Sequence, residues 1–184
     1  MRGMADWVLL LRGVNLGKHN RLSMAVLREL LTDLGHGDVR TVLASGNATF
    51  TSERRSADTL AREVRDGLRE RVDVDLPALV LSTTQIGQLV ADVPSGETGY
   101  RLVAALFAEP APDLLADLLG RDFGADGVTA GPRDADGGWL GAPALHLAYA
   151  KDVHTSKLQT ARLEKSLGVA MTARTPATLA KLLR

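Results

Sequence analysis

A chain of 184 residues, 45% hydrophobic and with 22 basic against 22 acidic side chains, can fill one domain or two small ones, and it has no global field toward nucleic acid or a membrane surface. With no cysteine it has no disulfide, thiolate nucleophile or cysteine-based zinc site, and a cytoplasmic location is expected. The apolar run near the start, Trp7 to Leu11, is too short for a membrane span or a signal-peptide core.

That run predicts a covered central strand. Gly13 and Gly17 mark a loop, and Met24, Leu27, Leu31 and Leu34 recur at helical spacing between an N-cap, Ser23, and a C-cap, Gly35. Val39 to Leu43 and Ala48 to Thr51 form a hairpin around Gly46 and Asn47, both suited to positive φ. Leu60, Val64, Leu68 and Val72 make a helical stripe behind Ser56, and Leu76 to Leu81 follow as a strand that Pro77 sends to an edge. Strand, helix, strand, strand, helix, strand is the split βαβ, or ferredoxin-like, order.

The order repeats. After a helix over Ile86 to Val93, Arg101 to Ala108 is a strand and Asp113 to Leu119 a helix ended by Gly120. Val128 to Ala130 and Ala144 to Ala150 are strands, Ser156 to Leu167 a helix, and Met171 to Arg174 the last strand, with a terminal helix opened by Thr175 and Pro176. The expected class is α+β, two ferredoxin-like (split βαβ) subdomains packed into one compact unit. Residues 1–93 form the first with a connecting helix, and residues 94–184 the second with the terminal helix.

Four stretches, "LLRGVNLGKHNRLSM", "VRTVLASGNATF", "SKLQTARLEKSLGV" and "ART", carry a resemblance. In order and spacing they are similar to the bacterial family called domain of unknown function 1697, over nearly the whole chain. The resemblance implies the two-subdomain ferredoxin-like architecture and brings no established activity. The chain departs from the family pattern at Lys18, where a second glycine is usual. It departs again at Arg174-Thr175-Pro176-Ala177, where an Arg-Asn-Trp-Asn stretch is usual.

In this topology the loop after the first strand and the first hairpin share one end of the sheet. Arg12, Asn15, Lys18, Asn20 and Arg21 should therefore face Ser45 and Asn47, with no acid between Asp6 and Glu29. Glycines admit backbone N–H groups, amides orient and cations select, so the pattern suits a phosphate or carboxylate. The plain alternative is a tight loop whose asparagines cap their own backbone. Lys157, read as the first turn of a helix where a cation opposes the dipole, would form with Lys165 and Arg174 a second anion-binding group, the plain alternative being a solvated lysine at a frayed helix end.

Other chemistry is not supported. Gly13-x-x-x-Gly17-Lys18 is one residue short of a phosphate-binding loop and lacks its Ser or Thr, and no dinucleotide motif follows a strand, so no cofactor is expected. His19, His36, His146 and His154 have no metal-ligand spacing, His36 falling in a turn, and no metal is expected. Asp134-x-Asp136-Gly137 lacks the closing glutamate of a calcium loop. "ASGN" around Ser45 is not a nucleophile elbow. With aromatics at 4%, and Trp7 and Phe50 read as core, nucleic acid is an unlikely partner and a membrane none. The leading expectation is a small anionic ligand. The alternative is a non-catalytic interaction module for protein or, weakly, nucleic acid; catalysis and oligomeric state stay open.

Overall fold

The computed structural model describes residues 4–15, 21–91, 93 and 99–184. Lys18 and Asn20, with Gly17 and His19, lie outside the described residues, as does 94–98 of the expected boundary. Within them are two four-stranded antiparallel sheets and six helices, an α+β architecture. The chain divides into two compact units, Met1–Thr83 with Lys181–Arg184, and Thr84–Ala180. No helix among the described residues is long and apolar enough to cross a membrane.

In the first unit the order is β1 (Ala5–Leu11), α1 (Met24–Asp33), β2 (Gly37–Val42), β3 (Asn47–Ser52), α2 (Ala57–Val72) and β4 (Ala78–Ser82). The sheet reads β2-β3-β1-β4, so β1 is internal and β4, led in by Pro77, is an edge. Alternation sorts β1: Trp7, Leu9 and Leu11 join the core under the helices, together with Leu27, Leu31, Phe50, Leu60, Val64 and Leu68. Leu27 and Leu31 are fully buried on α1, each worth about 2 kcal/mol of apolar burial. Ser23 caps α1 by accepting from Val26 N at 3.2 Å, and Ser56 caps α2 through Thr59 N.

In the second unit α3 (Thr83–Ala91), all but its first residue, precedes β5 (Tyr100–Leu106), α4 (Pro112–Leu119), β6 (Gly127–Ala130), β7 (Ala144–Tyr149), α5 (Thr160–Leu167) and β8 (Met171–Arg174). Its sheet, β6-β7-β5-β8, repeats the arrangement of the first. The last helix, α6 (Pro176–Lys181), opens on Thr175, whose Oγ1 accepts from Thr178 N at 3.1 Å.

α5 begins later than Ser156. The Ser156 hydroxyl donates to Asp126 Oδ2 at 2.5 Å and accepts from Leu158 N at 2.9 Å. Held this way it cannot cap a helix, and Gln159 takes the N-cap position. Lys157 therefore precedes the helix, exposed, and does not oppose its dipole.

Candidate functional site

At the end of β1 the ladder continues one step, Arg12 N donating to Pro77 O at 2.9 Å, and Leu11 N bonds instead to Gly46 O of the hairpin at 2.9 Å. The chain then turns on two left-handed residues, Gly13 at φ 77° and Asn15 at φ 56°. In the hairpin the left-handed residues are Leu43 at φ 59° and Gly46 at φ 74°. Gly46 behaves as its sequence context suggested, while Asn47 does not share the conformation. Asn47 sits opposite Leu10 on one side and Val42 on the other, and pairing with two strands keeps it extended. A Cβ on Gly46 would stand 2.6 Å from Val14 Cγ2 and 2.8 Å from Leu11 Cβ, so the hairpin tip and the loop interlock at this glycine.

Asn15 serves that interlock, and Asn47 fixes the hairpin itself. Asn15 Nδ2 donates to Leu22 O at 3.1 Å and Ala44 O at 2.9 Å, while its Oδ1 accepts from Leu22 N at 3.0 Å. Asn47, fully buried, donates through Nδ2 to Val42 O at 3.0 Å and to Ser45 Oγ at 2.9 Å. A primary amide has two N–H donors, so both donor sets are engaged inside the protein. Asn15 and Asn47 shape the mouth.

Around them lies a cleft of about 580 Å³ lined by Asn15, Arg21, Leu22 and Ser23. Arg21 is exposed and Arg12 half-buried. Ser23 starts α1, which has no acidic residue in its first turn, so the positive end of the helix dipole meets the cleft without a neutralising carboxylate. Sequence reasoning placed the loop and the hairpin at one end of the sheet, and the bond from Asn15 to Ala44 joins them there.

The second expected group belongs to the other unit. Arg174, on β8, is half-buried, and desolvation pulls its pKa below the usual arginine value. Its Nη1 donates to Thr172 Oγ1 at 2.9 Å and to Ala173 O at 2.8 Å. Lys165 stands in the last turn of α5, where a cation is favoured. Asp134 uses its Oδ1 on the N–H groups of Asp136 and Gly138, an Asx turn.

Two features escaped sequence reasoning. His36 is buried, its ring 4.7 Å from that of Phe50, and among the described residues neither ring nitrogen has a hydrogen-bond partner. Asp126 binds Ala150 N at 2.8 Å as well as Ser156, and these bonds lower its pKa, the Ser156 bond most. Trp7 and Phe50 are core residues, as expected, and present no stacking platform.

Fold and loop define an α+β protein of two split-βαβ units with a cleft at one end of its first sheet. The family model described as "Protein of unknown function (DUF1697)" matches residues 4–135, and the chain belongs to that family. Among solved structures it is similar to the conserved bacterial protein SP0830 from Streptococcus pneumoniae, at 19% identity and a TM-score of 0.73, over 98% of this chain and 97% of that one. That likeness is one of fold. No curated protein matches the chain.

Proposed function

We propose that the first unit binds a small anionic metabolite, carrying a phosphate or a carboxylate, in the cleft after β1. The observation that carries this reading is the cleft itself, lined by Asn15, Arg21, Leu22 and Ser23 at the N-terminus of α1. Arg21 and Arg12 supply charge, the first backbone N–H groups of α1 supply donors, and Lys18, Asn20 and Ser45 complete the set by sequence and topology. Asn15 contributes by holding loop and hairpin together, and Asn47 by fixing the hairpin, before the ligand arrives, which lowers the ordering cost of binding. Lys157 and Arg174 are not required.

A thermal-shift screen of the full chain against inorganic phosphate, nucleotides, sugar phosphates and carboxylic acids tests the reading. Losing one cation from a hydrogen-bonded anion contact costs on the order of 2 kcal/mol, roughly thirtyfold in affinity. Arg12→Ala and Arg21→Ala should therefore weaken the stabilising anion, and Arg62→Ala, near the opposite end of the sheet, should not. If no anion raises Tm, or if the three variants respond alike, the cleft is only a turn and the interaction-module alternative takes its place.

A further inference from the structure

A second hollow, of about 470 Å³, lies within the first unit at the other end of the same sheet, lined in part by Asp6, Asp38, Arg40, Thr49, Thr51 and Arg184. The register explains how strand residues converge there. Asp6 is opposite Thr51, and Val8 and Arg40 are each opposite Thr49, so Asp6, Arg40 and the two threonines share one face of the sheet. Trp7 and Phe50, one residue out of phase, point into the core on the other face.

The edge strand is distorted where it meets this hollow. The pairing of β2 with β3 slips between Gly37 and Arg40, and Asp38 is left-handed at φ 48°. A Cβ on Gly37 would come within 2.7 Å of Thr51 Oγ1, so only glycine leaves that hydroxyl room. Thr51 Oγ1 in turn donates to Asp38 Oδ2 at 3.3 Å. A bulge and an unfavourable φ cost stability, and they recur where a side chain must be aimed.

The charges are of both signs, two carboxylates and two guanidinium groups, yet among the described residues none of the four forms an ion pair within 4.0 Å. Elsewhere in this unit arginines do pair, as Arg69 does with Asp75 at 2.9 Å and Arg71 with Asp33 at 2.6 Å. Opposite charges facing one hollow at a distance make two half-sites, and a molecule bearing both signs satisfies both.

We infer that this hollow is a binding site for a zwitterion of the α-amino-acid class. The ammonium group is received by Asp38 and Asp6, and the carboxylate by the forks of Arg40 and Arg184, with the threonine hydroxyls between them. The site is independent of the anion cleft, since a simple anion would meet Asp6 and Asp38 here.

Amide chemical shifts of the full chain, followed while a mixture of free L-amino acids is added, test the inference. Thr49 and Thr51 should shift with the free mixture. They should stay still with the same mixture N-acetylated, which lacks the ammonium group, or C-amidated, which lacks the carboxylate. Asp38→Asn, which keeps a residue tolerant of left-handed φ, and Arg40→Gln should each weaken the response about tenfold, the loss of one charge-assisted contact. Arg184→Gln, at the end of the described chain, should weaken it without touching the sheet. Unmoved threonines, equal shifts with blocked amino acids, or variants that respond like the parent would each overturn the inference.

Discussion

Asn15 donates its side-chain amide to the carbonyl of Ala44 at 2.9 Å, bridging 29 positions of sequence between the loop after β1 and the tip of the β2–β3 hairpin. The same side chain both gives to and takes from Leu22. Asn15→Ala removes three hydrogen bonds and leaves a β-carbon residue at φ 56° without the local bonding that makes asparagine tolerable there. The expected loss is about 2 kcal/mol in urea unfolding, with faster hydrogen exchange at the Leu22 amide. Asn15→Asp should cost at least as much, because a carboxylate then faces two carbonyl oxygens.

Gly46 and Gly35 separate two reasons for a glycine. Both are left-handed, at φ 74° and φ 85°, but a Cβ on Gly35 meets nothing within 4 Å, whereas on Gly46 it runs into Val14 and Leu11. Gly35→Ala should cost about 1 kcal/mol, the backbone term alone. Gly46→Ala adds a clash with packed atoms and should cost about 3 kcal/mol or more, read as the shift in denaturation midpoint. Equal costs would mean that the hairpin tip moves away from the loop freely.

His36 makes folding sensitive to acid. Burial lowers its pKa below 6.5, the nearby Arg54 lowers it further, and Glu63 partly offsets them. A depressed histidine pKa means that the unfolded chain takes up a proton which the folded protein refuses. Stability is therefore full above pH 6.5 and falls as pH drops from there toward the lowered folded value. Unfolding free energy measured between about pH 7.5 and about pH 5.5, where most carboxylates stay ionised, should slope downward in the natural protein. In His36→Phe, which keeps a ring against Phe50, the slope should flatten. An unchanged slope would assign the effect to other groups.

The element order and the edge position of β4 were legible because the continuous apolar run of β1, the stripes on α1 and α2, the Ser23 and Ser56 caps and Pro77 are local signals. The shared end of the sheet followed from topology alone. The bonding of Asn15 and Asn47 to nearby backbone matches the plain alternative of asparagines that cap their own loop, while the bond of Asn15 to a carbonyl 29 positions away was not legible. Leu43 took the left-handed place offered to Asn47, since strand pairing on both sides outweighs the intrinsic tolerance of asparagine. Ser156 reads as the start of a helix and is diverted by Asp126, 30 positions earlier. His36 reads as a turn residue, and only the fold brings Phe50 to its ring.

Leu158 is held at both backbone groups. Its N–H donates to Ser156 Oγ at 2.9 Å, its carbonyl accepts from Tyr149 Oη at 2.9 Å, and the residue is fully buried. Burial of Tyr149, more than the charge of Asp126, pushes its hydroxyl pKa up to about 12, so it remains a donor throughout the working range. Tyr149→Phe should cost about 1 kcal/mol, and Ser156→Ala, which strands a buried N–H and one oxygen of Asp126, about 2 kcal/mol. Once either bond is gone, Leu158 can turn toward solvent and the other bond holds less. The double variant should therefore lose less than the two single losses combined, with a coupling of about 0.5 kcal/mol or more in a double-mutant cycle. Strict additivity would show that the two bonds act independently.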